Sequence, residues 1–443
     1  MGDRRCRLSG LILPLFAWLS LSACGALQSQ PPPAKWTTGF WYWHEGSVEP
    51  APAKVIPDVL YFHAGTIWKY RQWQVSQELP DSLPPAREYW LVFREEQQNM
   101  PDVSAAPYIA ERASRLLAEA RQRHLKVVGI QLDIDCPTSR LAGYAALLRE
   151  VRKDMPAGLG ISITALLDWF RDGTSVADVI EETDEFVPQF YDLAPAPNGS
   201  GDWRAIAAKI DAGHWGPKFN TFGKRFRIGI STFGRARFEP RFFADLTPLD
   251  IAANPAFTLR TSHSEANELI LTYGASRKAR LGYNDFQPGD TIQFVLPTPE
   301  SIRAAVESAR RMRGNCAGIV FFRWPASYEN LVMWPDEVLT AAGLAPPREK
   351  AVGVESVDGH CAAVSCVDLY LVNAAERSPG SIGYRIHSSV ELEYFLPQER
   401  VPVRLVGASD LDLTLPPWCG RSRLSLGRAV TATPAEFHAE ERP

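Results

Sequence analysis

Three signatures that would assign a reaction outright are missing from this 443-residue chain. There is no G-x-S-x-G turn to present a serine nucleophile, no Walker loop to cradle phosphates and no H-E-x-x-H pair to hold zinc. No glycine-rich phosphate turn follows the first apolar run, which argues against a dinucleotide-binding sheet. Histidine is scarce, at 8 residues, and none clusters with cysteine at metal-ligand spacing, so neither a metal nor a cofactor is expected. A formal charge of −4 offers no electrostatic reason for nucleic-acid binding.

Membrane-length apolar runs are missing as well. The longest, Leu8 to Ala23, follows the basic "MGDRRCR" and has the length of a secretory h-region rather than a span. It closes on Leu21-Ser22-Ala23-Cys24, which resembles the lipobox of bacterial lipoproteins, where the cysteine is acylated and becomes the new N-terminus. That resemblance implies a signal peptide over 1–23, lipidation at Cys24 and a Pro-rich tether over 24–35. Because Gly25 rather than Asp follows the cysteine, it also implies an outer-membrane lipoprotein facing the periplasm or cell surface. Past the leader the cysteines are Cys136, Cys316, Cys361, Cys366 and Cys419. The last three fall together, and a disulfide with Cys419 as one partner is expected in an oxidising compartment.

What is abundant is alternation. Over 36–347, eight short apolar runs are separated by helical patterns: "WTTGFWYW", "VLYFHAG", "EYWLVFR", "KVVGIQLDID", "LGISITAL", "EFVPQFY", "FRIGIST" and "AGIVFFRW". The helices are clearest in "AERASRLLAEARQRH", "SRLAGYAALLREVRKDM" and "TPESIRAAVESARRMR". The α/β pattern predicts a (β/α)8 TIM barrel. Two long connections, 192–223 and 238–281, are expected as loops over its active face. After the linker "LAPPREK", 355–443 reads as short strands with turns, predicting a small all-β, sandwich-like C-terminal module.

The fourth run, "VVGIQLDIDCPTSRL", carries the chemistry. Alternate strand residues share a face, so Gln131, Asp133 and Asp135 form a polar ladder toward the barrel axis while Ile130, Leu132 and Ile134 face the helices. Two aspartates roughly 6.5 Å apart at the C-terminal rim, partly buried, would raise one pKa and make a general acid. The pair can serve catalysis, bind a sugar or cation without catalysis, or form a structural hydrogen-bonded pair. Asp168, Glu95 and Glu96 are other acids near strand ends. The 13 Trp, 13 Tyr and 21 Phe supply both core and sugar platforms, with Tyr42 and Trp43 foremost, then Trp169 and Trp203. His44 and His63 read as hydrogen-bonded structural histidines, and Arg94 and Arg323 as candidate partners that would lower an aspartate pKa.

"GIQLDIDCP" resembles the fourth-strand motif D-x-x-D-x-D-x-E of family 18 glycoside hydrolases, the chitinase-like barrels. Asp133 and Asp135 match its second and third acids. "VPQFYD" resembles the sixth-strand M-x-Y-D, placing Gln189, Tyr191 and Asp192 against substrate; "RIGISTFGR" resembles the seventh-strand motif, and "GIVFFRWP" the last strand with its floor tryptophan, Trp324. The chain also resembles a family of bacterial lipoproteins related to that superfamily. Where the motif has its acid-donating glutamate this chain has Pro137, and Ile130 stands in place of the first aspartate. The resemblance implies a glycosidase acting on a polysaccharide or oligosaccharide. Asp135, one pleat below the position of the lost acid, is the candidate to replace it, with Asp133 supporting its pKa or acting as the second carboxylate. The rival expectation is a sugar-binding or scaffold lipoprotein of the envelope without catalysis.

Overall fold

The computed structural model describes residues 36–442 except 45, 52, 77–78, 96–99, 192–205, 239–240, 244–250, 252–253, 282–283, 328, 330, 347–351, 360, 362–364, 375–381, 399–400, 402 and 416–421. Cys24 with the leader and tether, Glu96, Asp192, Trp203 and Cys419 therefore lie outside the described residues.

All eight apolar runs are strands of one closed parallel barrel. They are β1 (Thr37–Tyr42), β2 (Val59–Lys69), β3 (Glu88–Glu95), β4 (Val127–Asp133), β5 (Gly160–Ala165), β6 (Glu185–Pro188), β7 (Arg225–Ser231) and β8 (Cys316–Trp324). Each pairs with its neighbours in sequence, and β1 closes the ring against β8. Helices α1 (Ala106–Gln122), α2 (Leu141–Asp154), α3 (Val176–Glu181), α4 (Ala212–Asn220) and α5 (Pro299–Arg311) occupy the connections from β3 onward, and α6 (Pro335–Ala341) follows β8. The start of α5 is fixed by a capping box, with Thr298 and Ser301 each accepting the other's backbone N–H at 3.1 Å. Between β2 and β3 the prolines at 80, 84 and 85 oppose a helix, and β2 instead folds back on Trp73–Val75.

Strand alternation sorts the side chains into two layers. Ile130, Leu132 and Ile134 pack outward against α1 and α2 with Ile109, Leu116 and Leu148. Burying each such side chain is worth about 1.5–3 kcal/mol. Trp41, Tyr61, Trp90, Val92, Val187 and Val320 fill the barrel interior. The indole of Trp90 fits because β4 and β5 face it with glycine: a Cβ on Gly129 would stand 2.4 Å from both the Trp90 ring and the Gly160 carbonyl oxygen.

At the N-terminal end of the barrel a buried charge cluster plugs the interior. Arg227 donates to Glu185, to the Tyr61 hydroxyl at 2.7 Å and to Thr37 Oγ1 at 3.1 Å, and Tyr61 also donates to Glu185. Both members of the ion pair are 2% exposed.

Two expectations need correction. The stretch over 238–281 is not a loop: with its flanks it forms a five-stranded antiparallel sheet built from Arg241–Phe243, Arg235–Phe238, Thr291–Leu296, Glu268–Ala275 and Phe257–Glu265 in that order. Its long hairpin turns on Ala266 and Asn267, both at positive φ (49° and 66°), the geometry of a type I′ turn. The disulfide joins Cys361 to Cys366, 6.0 Å apart at Cα, because antiparallel pairing of Val352–Asp358 with Ser365–Asn373 brings the two ends of their connection together.

The C-terminal region has two antiparallel four-stranded sheets. Their shared apolar set, with Leu369, Leu371, Ile386, Leu411, Leu413 and Leu426, is separate from the barrel core. Among the described residues no helix is long and apolar enough to cross a membrane.

Candidate active site

A cleft of about 1380 Å³ opens at the C-terminal ends of the barrel strands. Position dictates its lining: Trp43 follows β1, Arg94 and Glu95 end β3, Asp133 ends β4, Asp168 follows β5, Gln189 and Tyr191 follow β6, Phe233 follows β7 and Phe322 lies on β8. In a barrel this is the end where reacting groups converge.

The polar ladder of β4 is present, and its three members have different fates. Gln131 is fully buried below the cleft, accepting from Trp41 Nε1 at 2.7 Å and donating to Ser162 Oγ at 3.0 Å. It orients Trp41 and does not line the cleft. Asp133, partly buried at the cleft floor, accepts from Thr164 Oγ1 of β5 at 2.7 Å. Asp135, past the strand end, is exposed on the cleft wall. Burial pushes the Asp133 carboxyl up to about 6; the Thr164 hydrogen bond opposes this, the neighbouring Asp135 charge adds to it, and the Arg94 charge opposes it. Asp133 thus keeps its proton to a higher pH than an ordinary aspartate does. Asp135, where the sequence places the acid, lies past the end of β4 and is exposed, whereas Asp133 is the partly buried member of the pair.

The aromatic floor consists of Phe322 with Tyr191 stacked on it (centroids 5.3 Å, interplanar 17°), Trp43 at 5.8 Å and Phe233 at 5.5 Å. Arg94 sits over the Trp43 ring at 5.8 Å and in register with Asp133. Of the residues expected to meet substrate, Trp43, Gln189 and Tyr191 line this cleft with both aspartates.

Trp324 and Tyr42 do not. Strand β8 has a bulge: Trp41 pairs with Phe322 and Tyr42 with Trp324, so Arg323 is the extra residue. The bulge turns Trp324 outward, where it is fully buried against Phe40 and donates its indole N–H to Ala51 O at 2.9 Å. Tyr42 faces the same outer layer and donates to Val48 O at 3.0 Å. Trp169 is likewise core, donating to Cys136 O at 2.8 Å and packed edge-on to Tyr144. His44 is buried and bonded to Glu329 at 3.1 Å; His63 is buried beside the Trp43 ring. Arg323 is committed to Glu329 and does not pair with Asp133.

Sequence reasoning missed Thr164, Phe322, Phe233 and the α4 residues His214, Trp215 and Lys218, which form one wall. Alternation from Val320 points to Phe322, and nothing in the residue pattern announces the bulge that follows. Pro137 is exposed and begins the turn into α2; it is not part of the cleft lining. Among the described residues no three His, Cys, Asp or Glu gather as a metal site.

Residues 90–253 match the model of a domain of unknown function (DUF3142). No curated protein matches the chain. Similar solved structures include a chitinase from Chromobacterium violaceum, at 11% identity and TM-score 0.46 over 71% of this chain and 100% of that one. The spore cortex-lytic enzyme SleL from Bacillus cereus is similar at 11% identity and TM-score 0.45, over 71% of this chain and 75% of that one. A GH18 chitinase from Cycas revoluta in complex with (GlcNAc)3 is similar at 14% identity and TM-score 0.42, over 65% of this chain and 94% of that one.

Proposed function

We propose that the protein is a glycoside hydrolase acting on a polysaccharide in this cleft. The observation that carries the reading is Asp133: a carboxyl with its pKa pushed up to about 6, at the C-terminal rim of a barrel, beside a second carboxylate and an aromatic floor. Asp133 gives its proton to the glycosidic oxygen as the bond to the anomeric carbon breaks. Asp135 supplies the second carboxylate that the positive charge developing on the sugar requires, and water completes the hydrolysis by adding at the anomeric carbon and returning a proton to the Asp133 carboxylate. Phe322, Tyr191 and Trp43 offer ring faces to the C–H surface of the sugar.

The test is release of reducing ends from a panel of bacterial and chitin-type polysaccharides by the purified protein. Release on at least one polymer is expected, and none on any would overturn the hydrolase reading. Pro137, in place of the glutamate that the motif resemblance calls for, supports a second reading, a sugar-binding protein without catalysis. Oligosaccharide binding with no new reducing ends over long incubation would establish that second reading.

We further propose that Cys24 is acylated and holds the barrel at the outer membrane, as the lipobox resemblance implies. Cys24→Ala is expected to abolish palmitate incorporation and to move the protein from the membrane to the soluble fraction. Unchanged labelling of that variant would refute the anchor.

A further inference from the structure

The wall of the cleft formed by the turn after β5 and by α4 carries a charge pattern that hydrolysis of a neutral glycan does not use. Arg171 follows the single 3₁₀ turn Leu167–Phe170, and α4 contributes His214, Trp215 and Lys218. The two segments are clamped together. Phe170 meets the Trp215 ring edge-on at 6.3 Å, and Lys218 Nζ lies 3.7 Å from Asp172. His214 and Lys218, four residues apart on α4, share one helix face, with Trp215 beside them. The result is an indole flanked by a guanidinium, an ammonium and an imidazole.

These charges are not spent inside the protein. Asp172 is fully exposed, so its contact with Lys218 is a solvent-screened pair worth little. The exposed Arg171 guanidinium forms no ion pair among the described residues. The nearest acid on the same turn, Asp168, accepts a hydrogen bond from Thr138 at 2.9 Å. The remaining carboxylates of the lining, Glu95, Asp133 and Asp135, belong to the β3 and β4 ends. Around Trp215 the cleft therefore presents two accessible cations, Arg171 and Lys218, beside the His214 imidazole.

Hydroxyl and acetamido groups are recognised by neutral hydrogen bonds and ring stacking and need no such cations. A sugar carrying an oxyanion does: its C–H face stacks on the indole while its charged oxygens accept charge-assisted hydrogen bonds from arginine and lysine. We infer that Arg171, His214 and Lys218 around Trp215 form an anion subsite, and that the glycan taken by this cleft bears acidic substituents, as uronate carboxylates or sulfate esters. This inference rests on the reading of the cleft as a glycan site.

The test is calorimetric binding to the full chain carrying Asp133→Asn, which prevents turnover. Three probes are compared at low and high salt: a uronate hexamer, a sulfated hexamer and a neutral N-acetylhexosamine hexamer. At least one acidic hexamer is expected to bind roughly tenfold or more tightly than the neutral one, with affinity falling as salt rises. Which acidic probe wins identifies the oxyanion. Arg171→Gln with Lys218→Gln should erase that preference while the melting temperature stays unchanged, since Arg171 is exposed and Lys218 partly so. Neutral binding equal to or tighter than acidic binding, and insensitive to the two substitutions, overturns the anion subsite but leaves the glycan reading standing. Failure of all three hexamers to bind overturns both.

Discussion

Asp133→Asn is expected to reduce glycan cleavage by roughly 10²–10⁴-fold, the usual contribution of a positioned general acid, while leaving the melting temperature at pH 7 unchanged or higher. The stability half of this expectation follows from the sign of the pKa shift. Asp133 titrates at about 6 in the fold against 3.8 unfolded, so between these values the native state holds more protons than the unfolded one. Stability then falls as pH rises from about 4 to 6, and above 6 the full penalty of ionising a partly buried carboxyl is present, on the order of 1–3 kcal/mol. Asparagine removes that penalty and still offers Oδ1 to the Thr164 hydroxyl, which donates at 2.7 Å. The activity of the native protein should fall as pH rises through about 6, as the acid loses its proton. Melting curves and rates at pH 5 and pH 8 check both halves together. If the variant melts markedly lower at pH 8 and the pH profile is flat through 6, Asp133 is a structural hydrogen-bonding residue.

The second large effect lies at the other end of the barrel and concerns stability alone. Glu185→Leu should lower the unfolding free energy by about 3–5 kcal/mol, because it leaves the Arg227 guanidinium, 2% exposed, buried without its counter-charge. Tyr61 and Thr37 still meet the guanidinium at 2.7 and 3.1 Å, but neither carries charge. Pairing the change with Arg227→Met should restore most of the loss, since a buried ion pair replaced whole by apolar side chains of similar size is often nearly neutral. Denaturant midpoints of the two single variants and the double variant measure this coupling. A double variant that loses the sum of the two single effects would show that the cluster contributes through packing rather than charge. Cleft activity per folded molecule should be the same in all three.

The barrel was readable because every strand obeys one rule. Apolar residues such as Ile130, Leu132 and Ile134 alternate with inward ones, and the helices between strands supply the outer cover. The same rule gave the ladder Gln131, Asp133, Asp135 its direction. It could not say where β4 ends, and that boundary decides which aspartate is partly buried and which is exposed. The sheet inserted after β7 was missed because Phe257–Glu265 is exposed at nearly every position past its first, leaving no apolar alternation to read, and because its turn is Ala266-Asn267 rather than Asn-Gly. The wall around Trp215 was missed for a different reason. Its members come from two segments separated by 40 or more residues, and only contacts such as that between Phe170 and Trp215 bring them together.

The bulge at Arg323 has a consequence for heredity rather than for chemistry. Past it, Trp324, the last residue of β8, has exchanged faces relative to unbulged alternation, so a one-residue insertion there would carry it from the outer core into the cleft and leave Phe40 with Phe321 alone of its two ring neighbours. Deletion of Arg323 would remove the guanidinium that holds Glu329 beside His44. Insertions and deletions at this position are therefore far more damaging than substitutions.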